Sequence, residues 1–415
     1  MRYVIIGASA AGINGAENLR RLDKESEIVL ISEDDKVYSR CILHHYISSK
    51  RNVEELNFVD PDFFEKNKIN WIKGKKVVSL SDEKKEITLS NGEIVKFDKV
   101  LIASGSSPFI PPIENLRGKK NVVGLKSLSD CEKIMELAKT SKNILVIGAG
   151  LIGIDAVVGL LHFKNNDLKI NLVEMSDRLL PLQLDKRASI AYEKKLQENK
   201  VELILNSKVL KANLSEEDSD KIKSILLEGD IEIQTDLIVV ATGIRPNVDF
   251  LKDSNIEVDK LGLVLNEKGE TNIKDIYGAG DVSGRGPIWS KAVKESIIAT
   301  SNMAGVQRVM DDFFVCKSTM NFFNIPTLSL GNMNECLNNA ELKVDILEDD
   351  NGNYKKIMHK NGYIYGAIIQ GDLSYSGILT QLIKADIDIS KVKKPIFSID
   401  YSDFFRIKKD LEFEF

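Results

Sequence analysis

Arg2-Tyr3-Val4-Ile5-Ile6-Gly7-Ala8-Ser9-Ala10-Ala11-Gly12 is the stretch on which the fold turns. A short apolar strand runs into a glycine turn, and Ile13 to Leu22 continue as a helix that stops before Asp23-Lys24-Glu25-Ser26. A second strand, Ile28 to Ser32, ends in Glu33, 21 residues after Gly12. A glycine turn between strand and helix, followed by an acid about 20 residues on, is the context in which a dinucleotide-binding reading is warranted. The first glycine permits the turn, the second lets the backbone approach a pyrophosphate, and the third lets helix and strand pack closely. Ser9 stands in the second position, where a small residue with a hydroxyl donor also suits a phosphate.

The same order returns downstream. Ile144-Leu145-Val146-Ile147 precedes Gly148-Ala149-Gly150-Leu151-Ile152-Gly153, a helix follows to about Phe163, and Ile170-Asn171-Leu172-Val173 leads into Glu174, again 21 residues after the last glycine. Two such units predict an α/β chain with two Rossmann-like dinucleotide-binding domains. Two further stretches, Phe97 to Gly105 and Thr235 to Gly243, each read as an Asp, an apolar strand and a small-residue turn returning from one domain to another. Thr271 to Asp281 is a strand entering a glycine turn that presents a carboxylate. Beyond residue 312 short strands and polar turns, including a hairpin at Asp349-Asp350-Asn351-Gly352-Asn353, predict a smaller α+β domain.

The composition fits this outline. At roughly 100 to 200 residues per domain, 415 residues allow about two to four domains. With 43% apolar and 29% charged residues, the chain is neither disordered, collagen-like nor coiled coil. No apolar run approaches the roughly 20 residues of a membrane span. A strand beginning at Arg2 leaves no space for a signal or transit peptide, so a cytoplasmic location is expected. Fifty-seven Lys and Arg against 62 Asp and Glu give a net charge of −5, without the basic excess that nucleic acid requires. Cys41, Cys131, Cys316 and Cys336 are scattered, with no C-x-x-C or His/Cys cluster. Free thiols and no metal site of the chain's own are therefore expected. His162 and His359 lie in no recognisable motif.

In order and spacing these motifs resemble the FAD- and NAD-dependent pyridine nucleotide-disulfide oxidoreductases and their non-disulfide relatives, over essentially the whole chain. The resemblance implies an FAD-binding domain at 1–113 and 240–312, an inserted NAD-binding domain at 114–239, and a C-terminal α+β domain at 313–415. It implies FAD in the first unit, held by Gly7, Ser9, Ala11 and Gly12, with Glu33 on the adenosine ribose. Arg40, Cys41, the turn Ala103-Ser104-Gly105, Gly280 and Asp281 then complete the site, Asp281 on the ribityl chain. The resemblance further implies that Trp289 begins a helix whose N-terminus is placed near the flavin pyrimidine. The second unit implies NADH, held by Gly148, Gly150, Gly153 and Gly243. Glu174 would accept from a ribose 2′-hydroxyl and repel the 2′-phosphate of NADPH.

The segment Val37-Tyr38-Ser39-Arg40-Cys41-Ile42-Leu43-His44-His45-Tyr46-Ile47 admits two alignments. As Tyr-x-Arg-x-x-Leu it resembles NADH:rubredoxin oxidoreductases, the NADH-binding half of nitrite reductases, and flavoprotein subunits that serve iron-sulfur partners. Leu179 to Asp185, Trp289 to Val293 and Gly366 to Asp372 resemble that branch too. Centred on Cys41, the segment instead resembles coenzyme A disulfide reductases and NADH oxidases and peroxidases, in which one cysteine stands beside the flavin. A thiol there works as a thiolate, whose formation Arg40, His44 and His45 would favour; a cysteine there is otherwise a small packing residue. Electron-transfer relatives often pair a lysine beside the flavin with a glutamate on the NAD helix. The corresponding residues are His45 and Asp155, and the expectation is a pair that makes flavin reduction sensitive to pH near the imidazole pKa.

The function expected from the resemblance is an NADH-dependent FAD oxidoreductase passing electrons to a rubredoxin- or ferredoxin-like protein or an iron-sulfur partner. The alternatives are a thiol-type oxidase, peroxidase or disulfide/persulfide reductase acting through Cys41, and a flavoprotein subunit of a larger complex. Thiol-type relatives dimerise through the third domain, which on that reading gives a homodimer, whereas the electron-transfer branch also admits a monomer.

Overall fold

The computed structural model describes residues 1–163, 168–310, 317–404, 406, 407, 409, 413 and 414. Cys316 and the expected boundary at 312–313 lie outside these residues. The chain divides into two compact units, Met1–Val173 with Lys208–Asp311, and Glu174–Ser207 with Asp312–Phe415.

In the first unit a five-stranded parallel sheet runs in the order Ile276–Gly278, Lys99–Ile102, Arg2–Ile6, Glu27–Ile31, Ile69–Ile72. Its central strand is buried from Tyr3 to Ile6 because both faces are covered. Tyr3 and Ile5 pack with the helical residues Ile13, Ala16, Leu19, Ala299 and Met303 on one side. Val4 and Ile6 pack on the other with Val77, Leu80, Ile87, Leu89 and Val95, from an antiparallel three-stranded sheet. Val4 and Ile5 are fully buried, and each such side chain contributes about 1.5–3 kcal/mol. Helices Ala10–Leu22 and Trp289–Met303 lie against each other, Asn18 Nδ2 donating to Thr300 Oγ1 at 2.9 Å and Ser301 Oγ at 3.1 Å. The strands Lys169–Val173, Asn143–Ile147, Leu237–Val240 and Val122–Gly124 form a second parallel array, with helix Leu151–Leu161 following its central glycine turn. Both α/β arrays sit where the two glycine motifs place them.

The second unit carries a five-stranded antiparallel sheet, in the order Lys317–Phe322, Ile325–Leu330, Tyr363–Gln370, Tyr354–Lys360, Lys343–Glu348. The expected hairpin closes at residues 349–353, where Asn353 Nδ2 donates to Asp349 Oδ2 at 2.7 Å. Helix Ser376–Lys384 covers one face through Leu379, Leu382 and Ile383. The outermost strand, Lys343–Glu348, has water on both faces, and Val344, Ile346 and Leu347 are about half exposed.

Residues 174–207 fall in the expected NAD-binding range, yet they pack with this sheet, and side chains on helix Lys186–Glu198 explain why. Asp185 caps that helix through Ala188 N–H and also accepts from Tyr354 Oη at 2.6 Å and Lys356 Nζ at 2.8 Å. Tyr192 donates to Thr327 Oγ1 at 2.7 Å. Burial alone would raise the Asp185 carboxyl, but Lys356, Tyr354 and the Ala188 N–H hold it below the ordinary carboxylate range. A carboxyl held low adds stability above its ordinary pKa and loses it as pH falls through the folded value. Denaturant titrations of wild type and Asp185→Asn are therefore expected to differ most at neutral pH and to converge in acid. Tyr354→Phe is expected to cost about 1 kcal/mol.

Candidate active site

The two glycine turns share one construction. Gly7 has φ +112° and donates to Ile31 O at 2.7 Å; Gly148 has φ +99° and donates to Val173 O at 2.8 Å. A Cβ on Gly7 would overlap the Ala103 carbonyl oxygen, and one on Gly148 would come within 2.6 Å of the Ala241 carbonyl oxygen. Five residues further on, in the first turn of each helix, the close packing repeats: a Cβ on Gly12 would overlap Gly7 O, and one on Gly153 would overlap Gly148 O. Gly150 differs, with nothing within 4 Å of its notional Cβ. Its backbone faces open space at the start of helix Leu151–Leu161. Ser9 occupies the matching N-cap position of helix Ala10–Leu22 and spends no side-chain hydrogen bond on capping it. Each turn thus offers helix N–H donors and room beside them, which fits a pyrophosphate.

Carboxylates end the strands after both turns. Glu33 is exposed, with Lys76 Nζ 3.5 Å from its Oε1. Glu174 Oε1 accepts from Ser176 N–H at 2.8 Å, which fixes the direction of its carboxylate. The Ala103-Ser104-Gly105 turn clasps Asn247, Ser104 Oγ donating to its carbonyl at 2.8 Å and Asn247 N–H donating to Gly105 O at 3.0 Å. Gly243 has φ +123°, and its carbonyl accepts from Phe109 N–H at 2.9 Å.

Cys41 lies in a single 3-10 turn, Arg40–Ile42, ahead of the short helix Leu43–Ile47. Burial pushes its thiol up, Asp155 adds to this, Lys126 opposes it and Asp281 adds again. The residue nonetheless reaches solvent. Arg40 does not act on the thiol as expected, because its guanidinium is committed elsewhere. It donates to Asp34 Oδ2 at 2.6 Å, Tyr38 Oη at 2.9 Å and the Lys126 carbonyl at 2.8 Å.

The expected pair of His45 with Asp155 is corrected by one residue. His44 Nδ1, not His45, lies 2.8 Å from Asp155 Oδ1, at ion-pair distance though out of line for a hydrogen bond. Helix geometry gives the reason: His44 and Ile47 share the face that meets helix Leu151–Leu161, where the absent side chain of Gly159 leaves room for both. His45 is turned away, its ring 4.2 Å from that of His44. Burial and the neighbouring His44, Arg51, Lys50 and His162 push His45 down to about 4, so it stays neutral at physiological pH. Asp155 is pushed up by burial, with His44 opposing. About a fifth of its side chain still reaches solvent.

Asp281 stands on the turn Gly280–Ser283, directly after strand Ile276–Gly278. Its Oδ2 accepts from Lys126 Nζ at 2.7 Å and Ser106 Oγ at 3.0 Å. Gly280 N–H donates to Glu295 Oε2 at 2.8 Å, and Glu295 Oε1 is 3.1 Å from the buried Lys291 ammonium. Burial pushes Glu295 up against the pull of Lys291. Trp289 opens helix Trp289–Met303, its ring edge-on to Phe58 at 4.8 Å. Sequence reading missed Lys126, Lys291 and Glu295. Only Lys126 had a local signal, the S-x-x-D capping box of Ser127 and Asp130 that fixes the chain beside it. Among the described residues no three His, Cys, Asp or Glu gather as metal ligands, and no helix is long and apolar enough to cross a membrane.

Two strand–turn–helix units in one chain, each open at the helix N-terminus, with a carboxylate turn and a cysteine loop beside the first, define a two-dinucleotide oxidoreductase. Residues 1–296 match the sequence profile of the pyridine nucleotide-disulphide oxidoreductases, and 317–387 match that of the rubredoxin NAD+ reductase C-terminal domain. The chain belongs to the pyridine nucleotide-disulphide oxidoreductase family, and its cofactors are FAD and NADH. It is 28% identical over 404 residues to an NADH-rubredoxin oxidoreductase of Clostridium acetobutylicum, covering 96% of this chain and 97% of that one. It is 26% identical over 401 residues to a nitrite reductase [NAD(P)H] of Bacillus subtilis, covering 95% of this chain and 48% of the relative. The chain thus spans about half the length of that relative and of a second one from Bacillus subtilis. A NAD-dependent persulfide reductase from A. fulgidus has the same fold, with a TM-score of 0.82 and 24% identity over 93% of this chain and 77% of that one.

Proposed function

We propose that the chain carries electrons from NADH through FAD to a small redox protein of the rubredoxin or ferredoxin kind, or to an iron-sulfur partner. The observation that carries this reading is the match of residues 317–387 to the rubredoxin NAD+ reductase C-terminal domain, joined to a near full-length relative named for rubredoxin. Bound FAD would accept hydride from NADH and release electrons one at a time. The chain's residues serve binding and orientation. Gly7, Ser9, Ala11 and Gly12 take the FAD pyrophosphate, Glu33 its ribose, and Asp281 its sugar-alcohol chain. Gly148, Gly150, Gly153 and Gly243 take NADH, with Glu174 on its ribose. The helix dipole at Trp289 favours negative charge on the flavin. His44 and Asp155 hold the helix of the Cys41 loop against the NAD helix. The expected domain division, 1–113 with 240–312, 114–239 and 313–415, belongs to this reading, as does a cytoplasmic setting in which free thiols stay reduced.

A second reading, transfer through Cys41 to a disulfide or persulfide, is favoured by the thiol's exposure and the nearby Lys126 charge. The raised thiol argues against it, because only the thiolate reacts. An anaerobic NADH titration of wild type and Cys41→Ser separates the two. The expected result is the same two-electron bleaching in both proteins. A long-wavelength thiolate-to-flavin band with uptake of extra electrons, lost in Cys41→Ser, would establish the thiol reading instead.

A further inference from the structure

Asp281 is the carboxylate assigned above to the flavin's sugar-alcohol chain, and one of its oxygens is already taken. Oδ2 holds Lys126 Nζ at 2.7 Å and the buried Ser106 Oγ at 3.0 Å, while Oδ1 accepts no hydrogen bond among the described residues. The contact is not a casual surface ion pair. Only 18% of the Lys126 side chain and 19% of that of Asp281 reach solvent. Lys126 is also fixed along its backbone: its N–H donates to Asp130 Oδ2 at 2.9 Å, and its carbonyl accepts from Arg40 Nη1 at 2.8 Å. Arg40 is in turn anchored on Asp34 and Tyr38. A lysine held at both ends has lost most of its rotamer freedom, a loss that an exposed ion pair does not offset. The neighbouring carboxylates have other partners, Lys291 for Glu295 and His44 for Asp155, so Lys126 serves Asp281.

We propose that Lys126 is a positioning residue of the flavin site: its ammonium occupies Oδ2 of Asp281 and presents Oδ1 to the hydroxyls of the sugar-alcohol chain, while its main-chain carbonyl ties that carboxylate to the Arg40–Cys41 turn. The inference rests on the reading that FAD occupies the first unit. Three segments far apart in sequence meet at this one residue: the Cys41 loop at its main-chain carbonyl, the chain ahead of helix Leu128–Ala138 to which it belongs, and the Gly280–Ser283 turn at its ammonium. The Lys126 charge consequently acts on Cys41 as well as on Asp281.

The test uses flavin-loaded wild type, Lys126→Met and Lys126→Arg. FAD affinity is read from the return of free-flavin fluorescence on dilution, and the Cys41 environment from the pH profile of its alkylation by iodoacetamide. Losing one charge-assisted contact is expected to weaken FAD binding about tenfold in Lys126→Met, with Lys126→Arg staying within about threefold because it keeps charge and donors. The alkylation profile is expected to move to higher pH in Lys126→Met and to stay in place in Lys126→Arg. If Lys126→Met does not fold, Lys126→Gln gives the same comparison. Wild-type FAD affinity with an unmoved alkylation profile in the uncharged variant overturns the positioning role and leaves the FAD reading standing. A wild-type protein that takes up no FAD overturns both.

Discussion

Gly12→Ala is expected to abolish the folded first unit, and FAD retention with it. The added Cβ would overlap the Gly7 carbonyl oxygen and approach the Gly7 carbonyl carbon to 2.8 Å. Neither atom belongs to a side chain that can swing aside. Gly7 is itself held in place, since its N–H is bonded to Ile31 O and the Ala103 carbonyl closes the space where its side chain would be. A clash between two fixed backbones belongs with the exceptional substitutions that cost more than about 4 kcal/mol, a large part of the roughly 5–15 kcal/mol that holds a domain together. Gly150→Ala provides the contrast. With open space around its notional Cβ and an ordinary φ of −74°, alanine is expected to leave the fold and FAD content intact. It is expected to weaken NADH binding by about tenfold, by blocking the closest approach of backbone to pyrophosphate. Thermal melts, flavin content and NADH titration of the two variants read these effects separately. Full flavin retention in Gly12→Ala would contradict the close-packing argument.

His44→Ala is expected to destabilise the first unit by about 2 kcal/mol, below the roughly 3–5 kcal/mol of a fully buried pair because both partners keep some solvent contact. The loss comes from Asp155, left among helices without its imidazole partner. Asp155→Asn should relieve most of it, so the double variant should be more stable than the sum of the single effects implies. The pH dependence follows the same carboxyl. Burial raises Asp155 in the folded protein, so the native state holds the proton more tightly than the unfolded chain. Stability contributed by that proton is complete below the ordinary carboxylate pKa and falls as pH rises through the folded value. Removing His44 pushes that value further up and widens the window, whereas Asp155→Asn removes it. Urea midpoints from about pH 4 to about pH 8 test the sign, which would be wrong if His44→Ala were most destabilising in acid.

What the sequence made legible was local. Strand, turn and helix follow one another within a dozen residues at Gly7 and at Gly148, so periodicity and glycine spacing located both dinucleotide units. The hairpin at residues 349–353 was likewise written in adjacent residues. Side chains that meet across long separations left no such trace. Lys126 and Asp281 are 155 residues apart, and Asp185 and Tyr354 are 169 apart. Spacing therefore announced neither the support of the Asp281 carboxylate nor the docking of helix Lys186–Glu198 on the C-terminal sheet. The histidine error was angular. Which of two adjacent histidines faces a neighbouring helix depends on where a one-turn helix starts after the 3-10 turn at Cys41, and composition does not fix that. Arg40 was placed in the right loop, but its partners show it bracing the loop rather than activating a thiol.

The outermost strand of the C-terminal sheet has a consequence for handling the protein. A strand with one unpaired edge and water on both faces is a template to which another chain can add, and Val344, Ile346 and Leu347 would make such an addition adhesive. Lys343, Asp345 and Glu348 are interleaved with them as gatekeepers. Two of these charges are already partnered within the unit, Asp345 by His359 at 2.7 Å and Glu348 by Arg187 at 3.0 Å. Colloidal behaviour thus hangs on a few partly neutralised side chains, and concentrated solutions at high ionic strength, where screening is strongest, are where precipitation would begin.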